Sequence, residues 1–262
     1  MKTSRRKLEE LLWLTGLHRP VRSLYRLTAG RQVAASRDAV KKFYAGLVPS
    51  GSLVFDIGAN VGSMSAIFRS LSSHVVALEP NADCVRHIQL SYLGEGIEVI
   101  QAVAGPRNGL ATLIVSDERD DVSSLSEDWV ESIKTEHEEY SSLWSRRIAV
   151  PMLTLDTLID RYGMPYFIKI DVEGFEESVL TGLSTQPQLV SFEFNAAFLP
   201  AAMRCLDLEV FSPDSRFNFA MGDPTHFELG SWCERREIAE ILSRMRHQDR
   251  HGDIFVTDGS HD

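Results

Sequence analysis

Cysteine is scarce in this chain: Cys84, Cys205 and Cys233 are the only three in 262 residues, and they lie far apart without paired spacing. That excludes a disulfide framework or a cysteine-built zinc site and reads as three reduced packing residues. Long apolar runs are also missing, so nothing is expected to cross a bilayer. The basic start of the chain has neither the apolar core nor the small-residue cleavage site of a signal peptide, which points to a cytoplasmic protein. Basic residues interleaved with aromatics, as a nucleic-acid groove requires, are absent too, and no specific nucleic acid is expected. What is present, 44% hydrophobic and 24% charged residues, suits one large soluble α/β domain with a small appendage.

Negative charge is what the first fifty residues lack. They hold eleven Lys or Arg against three acids, a balance of +8 in a chain whose net charge is −10, so the remainder carries −18. Residues 1–48 read as a basic helical arm, with Leu8, Leu11, Leu12, Leu14 and Leu17 on one face, and 49–262 as an acidic main domain. The arm is expected to pack on its own domain, to mediate a homodimer, or to make weak contact with a membrane surface.

The chain is organised around Leu53–Gly62, Leu-Val-Phe-Asp-Ile-Gly-Ala-Asn-Val-Gly. Leu53, Val54 and Phe55 form a short apolar strand suited to a sheet buried on both faces. Gly58 and Gly62 bracket a turn that brings the backbone close to a ligand, and Met64–Leu71 continues as a helix. A dinucleotide loop needs Gly-x-Gly-x-x-Gly, but Asn60 replaces the second glycine and Asp56 places a carboxylate in the turn. A fixed negative charge there repels a pyrophosphate and suits the amine and sulfonium of S-adenosylmethionine. Val75–Leu78 forms a second strand ending in Glu79-Pro80, where an acid can accept hydrogen bonds from both ribose hydroxyls. The alternative is that Asp56 and Glu79 only cap helices.

Strand and helix keep alternating. Asn81–Leu93 reads as a helix, Ile97–Val103 as a third strand and Leu110–Val115 as another. Residues 117–147, rich in serine and acids, read as an acidic insertion and possible lid. The strand Tyr166–Ile170 then delivers Asp171 and Glu173 to its end, and Leu189–Asn195 delivers Glu193 and Asn195. In a parallel sheet these ends meet beside Asp56 and Glu79, the crevice where open α/β sheets bind ligands. Glu176 reads as a first-turn acid complementing a helix dipole.

These residues carry a resemblance. Leu53–Pro80 resembles the first motif of class I S-adenosylmethionine-dependent methyltransferases, and Ile168-Lys169-Ile170-Asp171-Val172-Glu173-Gly174-Phe175-Glu176 is similar to the signature of the FkbM type. Thr154-Leu155-Asp156, Phe192-Glu193-Phe194-Asn195 and Gly252–Val256 fit in order, so the resemblance covers roughly residues 50–257. It implies a Rossmann-like, seven-stranded, mainly parallel sheet with flanking helices and a C-terminal antiparallel hairpin pairing Phe217–Met221 with Asp253–Val256. It also implies that Asp56, Gly58, Asn60 and Gly62 line the methionine end of the cofactor, with Asp171 near it, and that Glu79-Pro80 hold the ribose. Ala102, Val103 and Ala104 would flank the adenine, with Ser123 and Ser124 nearby.

The expected activity is O-methylation of a hydroxyl on a glycan, sugar or small metabolite. Such a hydroxyl has a pKa far above neutral, so a base or a metal must assist. Asp171, Glu173, Glu193 and His226 are the candidate bases. Asp171, Glu193 and Asn195 could instead form an oxygen-rich Mg²⁺ site. A catalytically silent scaffold binding a partner through the arm is the alternative, and an NAD-dependent dehydrogenase is a weaker one.

Overall fold

The computed structural model describes residues 31–71, 73–116, 144–196, 199–245 and 251–259. Helix α1 (Arg31–Ala45) leads into strand β1 (Leu53–Ile57), α2 (Ser63–Ser70), β2 (His74–Leu78), α3 (Ala82–Ser91) and β3 (Ile97–Ile100). After β4 (Val103–Ala104), β5 (Gly109–Ser116) and β6 (Trp144–Leu153) come α4 (Leu155–Tyr162), β7 (Phe167–Ile170), α5 (Glu176–Thr181) and β8 (Leu189–Asn195). The chain closes with α6 (Leu199–Leu206), β9 (Arg216–Met221), α7 (Arg235–Ser243) and β10 (His251–Thr257).

The main sheet has seven strands in the order β3-β2-β1-β7-β8-β10-β9. Pairings from β3 through β8 are parallel, and β10 runs antiparallel to both neighbours, which yields the expected closing hairpin. Strand order runs outward from β1 to β3 and then returns to β7 on the other side of β1. The β1–β7 seam is therefore the topological switch point, where the loops after the two strands diverge and leave a crevice.

Side-chain alternation assigns the two faces of the sheet. Phe55, Val76, Ile168, Val190, Phe192 and Ile254 enter one core with α4, α5, α6 and α7. Val54, Val75, Phe167, Leu189 and Phe255 face the other way, under Val40 and Tyr44 of α1 and Ile67 and Phe68 of α2. Tyr44 is fully buried and meets Phe43 and Phe68 edge-on, each such pair adding about 0.5–1.5 kcal/mol beyond area burial. Helix α1, which falls inside the stretch read as an arm, thus packs on the main domain, one of the arrangements expected of the arm. Residues 1–30 lie outside the described residues, and with them the leucine face and the membrane or homodimer contacts expected from the sequence.

Two readings of the middle of the chain are corrected. Ile97–Val103 is not one strand: β3 stops at Ile100, the Ala102 N–H donates to the Ile100 carbonyl at 3.1 Å, and this tight turn sends β4 into a second, three-stranded sheet of order β4-β6-β5. Strand β6 has no counterpart in the sequence reading. It begins at Trp144, so the last residues of the segment read as an insertion are paired strand, antiparallel to β5. Residues 117–143 lie outside the described residues. Among the described residues no helix is long and apolar enough to cross a membrane.

Candidate functional site

The turn after β1 is closed by steric demand at its two glycines. Gly58 has φ +83°, and a Cβ there would overlap the Asp171 carbonyl oxygen across the seam. Gly62, at φ +77°, caps α2, where a Cβ would come within 3.0 Å of Ile88 and Tyr92 of α3. Between them Asn60 adopts φ +49°, the left-handed conformation that asparagine tolerates better than other non-glycine residues. It thus takes the backbone role of the glycine the sequence lacks.

Glu79 secures this turn. One carboxylate oxygen accepts the Asn60 N–H and the other the Asn81 N–H, each at 2.8 Å. Burial pushes Glu79 up to about 7; the two N–H bonds oppose that and nearby Asp56 adds to it. An ionised carboxylate offers about four lone-pair directions, so two remain for ligand hydroxyls.

Asp56 differs from its expected placement in the open turn. It is 1% exposed and accepts a hydrogen bond from Ser65 Oγ of α2 at 2.5 Å. Strand alternation explains this: Asp56 shares a face with Val54, beneath α1 and α2. Burial raises its pKa, with the Lys169 ammonium and the Ser65 hydroxyl working the other way. Its charge can reach a ligand only through space.

The turn after β7 repeats the device. Glu173 sits at φ +53° and Gly174 at φ +88°. Glu176 Oε1 accepts the N–H groups of Val172 at 3.2 Å and Gly174 at 3.1 Å, so the residue read as a dipole complement is a clamp on its own turn. Burial lifts Glu176 to about 7 as well, against the pull of those N–H bonds.

Here the carboxylates face one another. Asp171, Glu173 and Glu193 each bring an oxygen within 4.8 Å of the others. Burial drives the Glu193 pKa well above its ordinary value, and Asp171, Glu173, Glu176 and Asp253 push it further. Asp171 is distinguished by a cation, since Lys169 Nζ lies 2.7 Å from its Oδ2. Asn195 sits two residues beyond Glu193 on the same strand face, in register with His251.

The other sequence candidates fall into place unevenly. Pro80 follows Glu79, and its carbonyl accepts a bond from Gln101 Nε2 at 3.3 Å. Ala102, Val103 and Ala104 are buried just past β3, at the same edge of the sheet. Ser123 and Ser124 lie outside the described residues. His226 is 72% exposed, and the partners of its ring are Thr225 at 3.1 Å and Glu228 at 3.7 Å, a local arrangement apart from the carboxylate trio. Sequence reasoning passed over Lys169, Asp253 and Ser65. A signal existed for the first two: a lysine inside Phe-Ile-Lys-Ile and an aspartate inside Gly-Asp-Ile-Phe-Val sit in buried strands, where charged residues are rare unless paired.

Comparison with known proteins places this geometry. The model of the Methyltransferase FkbM domain matches residues 56–248. No curated protein matches the chain. Among solved structures, the chain is similar to a precorrin-6y C5,15-methyltransferase from Geobacter metallireducens (10% identity, 84% of this chain and 86% of that one, TM-score 0.39). It is also similar to a TehB-like SAM-dependent methyltransferase from Corynebacterium glutamicum (12% identity, 91% and 98%, TM-score 0.39). A third is the plantazolicin methyltransferase BpumL in complex with a triazolic desmethylPZN analog and SAH (10% identity, 98% and 99%, TM-score 0.41). Likeness at this level carries no substrate with it.

Proposed function

The chain belongs to the FkbM methyltransferase family, and from that premise we propose that it uses S-adenosylmethionine to methylate a hydroxyl group on a sugar, glycan or small metabolite. The residues fit that cofactor. Glu79 keeps lone pairs free at the end of β2, as a ribose diol requires, and holds the Gly58–Gly62 turn beside it through the Asn60 N–H. Asp171 opens toward the crevice at the end of β7 and supplies an anion for the amine of the methionine end. Ala102 and Val103, at the exit of β3, are the apolar residues nearest in sequence to an adenine position.

When bound, the cofactor supplies a methyl group already activated by its sulfonium. The chain's part is to align the acceptor behind that methyl, exclude water and take a proton. The observation that carries the reading is the gathering of Asp171, Glu173 and Glu193 at adjacent strand ends, where burial and the neighbouring carboxylates raise the Glu193 pKa. Asp171 is engaged by Lys169, which leaves Glu193 as the residue that would take the proton of the acceptor hydroxyl. Calorimetric titration with S-adenosylmethionine and S-adenosylhomocysteine, then transfer of labelled methyl to a panel of glycans and metabolites, tests the proposal. Binding without transfer to any hydroxylated acceptor favours the silent scaffold, and binding of NADH in place of either ligand favours the dehydrogenase.

The spacing of the trio supports a second reading. Three carboxylate oxygens within 4.8 Å form a ligand set suited to a hard divalent cation. Transfer that survives exhaustive chelation eliminates it.

A further inference from the structure

Lys169 is a charge buried inside a β-strand, and the register shows what surrounds it. On the face under α1, Asp56, Lys169 and Ser191 lie side by side on β1, β7 and β8. One step toward the strand ends come Asp171, Glu193 and Asp253, the last two directly paired across β8 and β10. Tyr44 of α1 closes the row from above, and its hydroxyl and that of Ser191 have no hydrogen-bond partner among the described residues. The direct bond that Lys169 makes among the described residues goes to Asp171. The two side chains of this pair are 5% and 40% exposed, so the ammonium is sealed inside while the carboxylate opens on the crevice.

Resting on the methyltransferase reading above, we propose that Lys169 is a positioning residue: from beneath the sheet's carboxyl edge it fixes the Asp171 carboxylate in the orientation that receives the amine of the cofactor's methionine end, while Asp253 is a rival carboxylate for the same ammonium. Burying an ammonium is costly unless carboxylates compensate it. Here burial works against the charge, and Asp171 first, with Asp253 and Asp56, outweighs it and holds Lys169 well above its ordinary range. Of these anions Asp171 alone is bonded directly and faces the crevice. Asp56 is occupied by Ser65, and Asp253, buried and raised to about 6, is flanked by His251 and Asp223.

The test separates the two ends of the cofactor. S-adenosylhomocysteine carries the amino-acid end, and 5′-methylthioadenosine lacks it but keeps the ribose and adenine. Calorimetric titration of wild type, Lys169→Met and Asp253→Asn with both ligands reads the role directly. Lys169→Met is expected to weaken S-adenosylhomocysteine roughly 10–100-fold, as loss of an outer-shell partner does for a ligating group, and to leave methylthioadenosine unchanged. Asp253→Asn, which removes the rival, is expected to weaken neither. A purely structural lysine would affect both ligands alike. Equal loss of both, loss of neither, or a selective loss in Asp253→Asn overturns the proposal.

Lys169→Met leaves Asp56, Asp171 and Asp253 without a counter-cation and can fail to fold. The double variant Lys169→Met/Asp253→Asn removes one cation with one carboxylate and is held to the same selective loss. Wild-type protein that binds neither ligand overturns the cofactor reading and this proposal together. Wild type that binds both, with Lys169→Met and the double variant indistinguishable from it, overturns this proposal alone.

Discussion

The turns after β1 and β7 are built alike and leave different surfaces. Each follows a buried strand at the switch point, each holds one non-glycine residue in the left-handed region, Asn60 or Glu173, and each is clamped by a buried glutamate accepting two backbone N–H groups. In the first turn the clamp comes from the neighbouring strand, and the strand-end acid Asp56 is turned inward to Ser65. In the second the clamp comes from the turn's own helix, and the strand-end acids stand together at the crevice. On the proposed function, the same backbone device supports a ribose-binding carboxylate on one side of the seam and, on the other, the amine-binding Asp171 beside the proton acceptor Glu193. Which it becomes depends on where the adjacent strands aim their carboxylates.

The division breaks first at Glu193. Glu193→Gln is expected to slow methyl transfer about 10²–10⁴-fold, the usual contribution of a general base, and to leave S-adenosylhomocysteine affinity unchanged by calorimetry. A parallel loss of affinity would mean that the second turn also holds the cofactor through Glu193. The clamps come next. Glu79→Ala and Glu176→Ala each strand two backbone donors, at about 1–3 kcal/mol for each that stays buried and unpaired, so both should lower the denaturation midpoint. On the proposed function, only Glu79→Ala should also abolish S-adenosylhomocysteine binding, because that carboxylate is the one assigned to the ribose hydroxyls.

Smaller effects sharpen the likeness of the two turns. Glu173→Gly removes a Cβ from left-handed backbone and should gain up to about 1–2 kcal/mol in urea denaturation, with a smaller gain for Asn60→Gly because asparagine tolerates that conformation. Glu173→Ala keeps the Cβ and should change little through the backbone, whereas Asn60→Ala should be mildly destabilising. The smallest expected signal is in pH. Glu79 and Glu176 have folded values of about 7 against an ordinary 4.5, so the folded protein holds more protons than the unfolded chain between those limits. Each group's stabilising contribution is full below pH 4.5 and is lost as pH rises through about 7. Melting curves across this window should flatten in Glu79→Gln and Glu176→Gln. Cofactor affinity should move the opposite way in wild type and rise toward pH 7, since ribose hydroxyls favour the ionised Glu79.

The strands β1, β2, β7 and β8 were legible in the sequence because each is a short apolar run bounded by turn residues, whereas β9 and β10 were expected only from the family resemblance. So was Thr154-Leu155-Asp156, whose parts prove structural: Thr154 accepts the Thr157 N–H at 3.1 Å as the cap of α4, Leu155 is buried, and Asp156 accepts the Ser184 N–H at 2.8 Å. Strand β6 was missed because Trp144–Arg147 continues the polar composition of the segment before it, and its partner β5 lies beyond a long intervening stretch. Asn60 was read as a missing glycine, since the letter alone does not disclose a left-handed backbone. Glu176 was read as a helix-end charge because its bonds to Val172 and Gly174 depend on a turn that no spacing rule specifies.

By itself the sequence determined what is local: the apolar strands, the glycines that let two turns close, the helix caps, and the set of acids delivered to strand ends. Only the tertiary structure decided what those acids do. Strand order brought β1, β7, β8 and β10 side by side, and alternation then put Asp56, Lys169, Glu193 and Asp253 on one face. Burial and charge interactions, which act through space between residues far apart in the chain, raised the Glu193 pKa and paired Asp171 with Lys169.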